Sequence, residues 1–125
     1  MEKLNLKVSG MMTFISSGSR YQTALQFYQE IGFELDWTSD SFSVLRKDNS
    51  RFFLQHYPNG WMQDNFMMTL EVENLNDWWN KLSSLDLESK YPGVKLKPPE
   101  DYPWGKREIH LIDPCDVLWH IAVDL

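Results

Sequence analysis

With 125 residues, the chain has room for one domain or for two copies of a smaller unit, but not for two independently folding domains. Its 42% hydrophobic and 24% charged residues supply a packed core, which excludes a disordered segment. A net charge of −6, a single cysteine at Cys115 and no apolar run approaching ~20 residues exclude, in turn, a nucleic-acid binder, a disulfide or cysteine-zinc framework and a membrane span; the opening Met1-Glu2-Lys3-Leu4 has no signal-peptide core, so a cytoplasmic protein is expected.

In chain order, residues 1–9 alternate through Leu4, Leu6 and Val8 and predict either an extra edge strand or an arm that reaches a neighbouring subunit. Met11 to Ser16 is a short apolar run of strand type. Tyr21, Ala24, Leu25, Tyr28 and Ile31 then fall on one face of a helix running from about 20 to 31. Ser19 with Gln22 predicts a capping box at its start, and Gly32 a left-handed cap at its end. Strand patterns follow at Phe33 to Thr38, Phe42 to Lys47 and Arg51 to Tyr57, separated by the turn residues Ser39-Asp40 and Asp48-Asn49. The turn-rich stretch from Pro58-Asn59-Gly60 to Asp64-Asn65 marks a boundary.

The same order then recurs. Phe66 to Val72 is strand-like, and a helix starting near Asn74 places Leu75, Trp78, Trp79, Leu82 and Leu85 at the spacing of the first, each offset by about 54 positions. Val94 to Lys97, Arg107 to Ile112 and Val117 to Val123 complete the half, broken at Pro98-Pro99 and Asp113-Pro114; the proline-rich remainder of 90–103 reads as loop. Each half is βαβββ, giving one domain of two modules, about 10–58 and 65–125. One helix covers only one face of a four-stranded sheet, so the expected α+β architecture is a curved mixed sheet around a cavity, with the helices on its outer face.

The residues themselves name few chemists. Cys115 has no basic partner in the pattern, the serines sit at strand ends and turns, and phosphate-binding glycine loops are absent, so no catalytic residue is assigned. Glu108 and His110 alternate onto one strand face, with His120 on the neighbouring strand; this is either a metal triad or a set of hydrogen-bonding groups lining a polar patch. By alternation His56 is structural or exposed. Six tryptophans, five tyrosines and seven phenylalanines are a large aromatic share. Tyr21, Tyr28, Trp78 and Trp79 belong to helix faces, and alternation turns Phe14 and Trp119 toward those helices. It turns Met11, Thr13, Ile15, Phe53, Gln55, Tyr57, Met67, Thr69, Leu118 and His120 toward the cavity. Trp37, Phe42, Trp61 and Trp104, near strand ends or in loops, are left for a cleft wall or a dimer contact.

The duplication, Phe27-Tyr28 followed by Ile31-Gly32-Phe33-Glu34, and above all Pro103-Trp104-Gly105-Lys106-Arg107-Glu108 with Asp113-Pro114 and Trp119-His120-Ile121, resemble the glyoxalase/bleomycin resistance/dioxygenase (vicinal oxygen chelate) superfamily over essentially the whole chain. The closing segment and Asp64-Asn65 are similar to the bleomycin resistance proteins; Asp116-Val117 departs from the family's usual Gly-Asn. The resemblance implies a divalent metal held by the first, fourth, fifth and eighth strands in the superfamily's enzymes. Those positions fall here on Thr13, Gln55, Met67 and His120, a poor set for such an ion. No metal or other cofactor is therefore expected, and Glu108, His110 and His120 are the alternative ligands should one be held.

The same resemblance places Trp37 and Phe42 on groove-lining aromatic positions, and Trp104 on the Trp-Gly phrase, of proteins that form ligand clefts between two arm-exchanged subunits. It implies a metal-independent homodimer that sequesters a hydrophobic, cationic compound of the bleomycin type. The expected ligand-binding residues are Trp37, Phe42, Phe53, Gln55, Met67, Thr69, Trp104, Glu108, His110 and His120. The alternative is a metal-dependent lyase, isomerase or dioxygenase of the superfamily.

Overall fold

The computed structural model describes residues 3–57 and 65–125. Two four-stranded mixed sheets carry the same topology. The first half contains β1 (Phe14–Ser16), α1 (Tyr21–Glu30), β2 (Glu34–Thr38), β3 (Phe42–Lys47) and β4 (Ser50–Gln55), in the sheet order β1-β4-β3-β2. The second contains β5 (Met67–Glu71), α2 (Leu75–Ser84), α3 (Leu87–Lys90), β6 (Lys95–Tyr102), β7 (Lys106–Ile112) and β8 (Leu118–Asp124), in the order β5-β8-β7-β6. In each sheet the first strand pairs parallel with the last and the other pairs are antiparallel, which is the expected α+β duplication. Among the described residues no helix is long and apolar enough to cross a membrane.

The helices form where the apolar spacing puts them, but their ends are made differently. Asn74 caps α2, its side chain accepting from the Asp77 amide at 3.0 Å. The expected capping box of Ser19 and Gln22 does not form. Arg20 occupies the cap position without a side-chain cap bond and sends its guanidinium to the carbonyls of Pro92 and Pro114, at 3.0 and 3.1 Å, tying α1 to the second half. At the other end Gly32, at φ +120°, lets the Phe33 amide turn back onto the Tyr28 carbonyl.

Three further differences have identifiable causes. The segment read as loop around Pro98-Pro99 is strand: β6 runs on to Tyr102 through a register shift between Lys97 and Glu100. Because β6 is an edge strand and the prolines lie at the irregularity, their missing N–H groups break no ladder. In β1 the alternation is one residue out of the expected phase. Ile15 is fully buried whereas Phe14 is 46% exposed and pairs in register with Phe53, so Phe14 lies on the open face and Ile15 in the core. Residues 3–13 form no strand, which removes the edge-strand alternative for Leu4, Leu6 and Val8. The expected boundary at 58–64, with Trp61 and Asp64, lies outside the described residues.

The halves share one core on the helix-covered faces. Tyr28 from α1, Phe33, Phe52 from β4 and Trp119 from β8 pack edge to face or tilted, with centroids 5.0 to 5.9 Å apart. Beneath them Asp113 is fully buried; it accepts from the Tyr28 hydroxyl and from the amides of Cys115 and Val117, and the Trp119 indole donates to the Tyr28 oxygen. Tyr28 belongs to the first half and Asp113 to the second, so this buried network joins them.

Candidate functional site

With the helices on one face of each sheet, the other faces are open. On the second sheet, β7 projects Glu108 and His110 to the same side, and the antiparallel register sets His110 directly opposite His120 of β8. Glu108 is 3% exposed, an unusual place for a carboxylate, and all its bonds are made locally. Its Oε1 lies 2.9 Å from both His110 Nε2 and His120 Nδ1, and Oε2 accepts from the Trp104 indole at 3.0 Å. Burial pushes the Glu108 carboxyl up, but the bonds from Trp104, His110 and His120 outweigh it and hold the group below the usual glutamate range.

Around this carboxylate the rings form a column. Trp104 stacks on Tyr102 and Tyr102 on His110, each at 4.7 Å, and His110 meets His120 edge to face. Trp104 sits in the turn between β6 and β7, where Gly105 at φ +85° supplies the left-handed residue that closes the hairpin. Trp104 remains 58% exposed. Beside the column, Met67 lies with its sulfur 3.4 Å from His120 Nε2, and Thr69, paired with His120, is exposed.

The first sheet presents a different surface. Phe14 stacks on Phe53 at 4.3 Å, Phe42 packs edge-on against both, and Trp37 leans on Phe42 at 4.9 Å. Gln55 stands on the same face, opposite Phe42 in register. No ring contact among the described residues links this platform to the column on the second sheet. The cleft of about 440 Å³ between the β3–β4 turn and the start of α2 is lined by Lys47, Ser50, Glu71, Asn74, Asp77 and Trp78 and includes neither set of rings.

The structure thus sorts the expected ligand-binding residues into two groups: Trp37, Phe42, Phe53 and Gln55 on one sheet, and Met67, Thr69, Trp104, Glu108, His110 and His120 on the other. Two neighbours were missed. Alternation alone turns Phe14 to the other face, and Tyr102, the middle ring of the column, lies in a segment whose prolines read as loop. The hairpin signal of Pro103-Trp104-Gly105 followed by an alternating strand could have extended β6 to it. Exposed His56 stacks on Tyr21, away from both groups.

The metal positions of the superfamily's enzymes do not fit such an ion here. The strand registers make Phe14, not Thr13, the counterpart of Met67, since Phe14 pairs with Phe53 as Met67 pairs with Leu118. A phenyl ring, an amide, a thioether and an imidazole contain one good ligand for a borderline cation. Cys115 is buried, its sulfur donating to the Ser17 carbonyl at 3.1 Å, and burial pushes its thiol up to about 12, far from a reactive thiolate.

A search of curated protein sequences finds no match to this chain. Among solved structures, the chain is similar to a bleomycin resistance determinant encoded on the transposon Tn5, at 17% identity and a TM-score of 0.80, over 94% of this chain and 98% of that one. It is similar to a bleomycin-binding protein in complex with bleomycin, at 16% identity and 0.81, over 94% and 100%. A bleomycin-binding protein from bleomycin-producing Streptomyces verticillus, in complex with copper(II)-bleomycin, matches at 19% and 0.76, over 94% and 97%. At these identities the likeness speaks for the fold. The model of one family spans residues 15–121, nearly all of both sheets, and by that match the chain belongs to the glyoxalase/bleomycin resistance protein/dioxygenase superfamily.

Proposed function

We propose that the protein sequesters a hydrophobic, cationic small molecule of the bleomycin type in clefts between two copies of the chain, and breaks no bond in doing so. One observation carries the reading: each open face bears an aromatic platform with half-exposed members, and among the described residues no ring contact joins the two. Phe14, Trp37, Met67 and Trp104 are 46 to 58% exposed, and those on each sheet lie beside further rings, the kind of apolar surface that marks an interaction site. A second copy that set its first sheet against the second sheet of its partner would cover both platforms and leave a slot between Trp37 and Trp104. Leu4, Leu6 and Val8, each more than 80% exposed, supply an arm to clasp that copy.

In such a slot a planar cation stacks on the free faces of the indoles, each good contact contributing about 0.5 to 2 kcal/mol. The net charge of −6 favours the positive ligand. Phe14 and Met67, standing where the superfamily's enzymes place metal ligands, support binding without turnover. The solved neighbours that bind bleomycin support the ligand class.

The test is a tryptophan-quenching titration of untagged protein with metal-free bleomycin, run beside sedimentation equilibrium. The expected result is a dimer with saturable quenching at one ligand per chain. Trp37→Leu and Trp104→Leu each weaken binding at least tenfold, and Trp78→Phe leaves it unchanged. A monomer, or quenching indifferent to both substitutions, overturns the proposal.

A further inference from the structure

We infer that Glu108, His110 and His120 form a binding site for one borderline divalent transition-metal ion per chain, of the Zn²⁺, Co²⁺ or Ni²⁺ class, which shares His120 with the superfamily's four-strand metal positions and takes its other two ligands from β7. These three residues are the one group of at least three histidine, cysteine or acidic side chains among the described residues whose donor atoms converge, all within 4.8 Å of one another. The two carboxylate–imidazole separations of 2.9 Å are hydrogen bonds, and a tetrahedral ion with bonds of about 2.0 to 2.1 Å needs them opened only to about 3.3 Å. Two imidazole nitrogens and one carboxylate oxygen suit zinc, cobalt and nickel; magnesium and calcium prefer all-oxygen sites.

The outer nitrogens make this more than a hydrogen-bonded cluster. His110 Nδ1 lies 3.4 Å from the Tyr102 hydroxyl, and His120 Nε2 lies 3.4 Å from the Met67 sulfur. The inner nitrogens bond to Glu108 Oε1 as the site stands, and because each outer nitrogen has a partner that can accept its proton, an ion can take the inner nitrogen in place of that bond. This is the outer support that orients histidine ligands in metal sites. The second carboxylate oxygen is held by the Trp104 indole, fixing the plane of Glu108, and the strand pairing of His110 with His120 fixes both backbones. The imidazoles retain 19 and 16% side-chain exposure on the open face, so an entry path and free coordination positions remain. The inference goes beyond the sequestration reading: the aromatic platforms need no ion, and either statement can fail alone.

The experiment uses untagged protein freed of metal by chelator, titrated with CoCl₂ while visible d–d absorption and heat are followed, then challenged with ZnCl₂ and separately with MgCl₂. The expected result is one Co²⁺ per chain, displaced by Zn²⁺ and untouched by Mg²⁺. His110→Gln and His120→Gln each weaken binding at least tenfold, and His56→Gln leaves it unchanged. Imidazole NMR signals of the wild-type protein provide a readout independent of whether the variants fold: Zn²⁺ must shift His110 and His120 and spare His56. No saturable cobalt signal, undiminished affinity in both variants, or shifts centred on His56 overturns the site.

Discussion

The open face of the first sheet carries the rings of Phe14, Phe42, Phe53 and Trp37 with Gln55 beside them and no ionisable group in the cluster, whereas the same face of the second gathers Tyr102, Trp104, His110 and His120 around the buried Glu108. The opposite faces do not differ in this way. Ile15, Leu45, Phe52 and Leu54 in one half, and Ile109, Leu111, Trp119 and Ile121 in the other, are all buried beneath the helices. One duplicated strand order thus keeps its chemistry where it packs and changes it where it does not. The core face answers to the other half of the molecule, and on the proposed reading the open face answers to a ligand and a second copy.

The comparison is broken most directly at adjacent residues of β4. Phe52 is 2% exposed among the rings of Tyr28, Phe33 and Trp119, so Phe52→Ala is expected to cost about 3 to 5 kcal/mol. Phe53, on the open face, is expected to cost about 1 kcal/mol or less, yet to weaken bleomycin binding. Urea unfolding and quenching titrations on both variants check the split. Equal stability losses would show that the open face is structural.

The bond between the halves is next. Asp113→Ala strands the Tyr28 hydroxyl and two amides, an expected loss of about 3 kcal/mol by urea unfolding. The pH dependence has a definite sign. Burial pushes the Asp113 carboxyl up from 3.8 to about 6, against the bonds from Tyr28, Val117 and Cys115. Between those values the folded state binds more protons than the unfolded one, so stability falls as pH rises from about 4 to about 6, by about 3 kcal/mol from this group, and is flat above. Glu108 acts in the opposite sense: its carboxyl is held low, so its contribution is present above the usual glutamate range and is lost as pH falls through its folded value. Urea unfolding of Asp113→Asn from pH 4 to 7 is expected to lose the downward slope. An unchanged slope would place the buried proton elsewhere.

How much of this was legible depended on which constraint set each feature. The helices were readable because five apolar positions at helical spacing leave one way to bury them, and the two halves because that spacing repeats. The faces of β4 and β8 followed from alternation. β1 did not, because a three-residue strand carries too little pattern to fix its phase against a parallel partner, and Phe14 and Ile15 exchanged places. The prolines of β6 misled for the opposite reason: their penalty depends on whether a neighbouring strand needs the N–H, and on an edge strand it does not. At the site, alternation put Glu108, His110 and His120 on one side, but the convergence of both imidazoles on a single carboxylate oxygen depends on the β7–β8 register, which spacing along one strand does not contain.

The smallest expected effect sharpens the comparison at a point where the halves agree. Asp48 follows β3 at φ +51° and Asp116 precedes β8 at φ +71°, so an aspartate occupies a left-handed position ahead of the last strand of each sheet. Aspartate tolerates this region better than most residues, but glycine enters it without a Cβ clash. Asp48→Gly and Asp116→Gly are each expected to raise stability by about 0.5 kcal/mol, near the limit of a urea measurement. The two sites should then part on titration. Asp116 also repels the charge on Asp113 and helps hold that carboxyl high, so Asp116→Gly should shallow the slope between pH 4 and 6, and Asp48→Gly should leave it as it is. Identical slopes in the two variants would mean that burial and the local bonds alone set the Asp113 proton, and that the two turns are equivalent in chemistry as well as in shape.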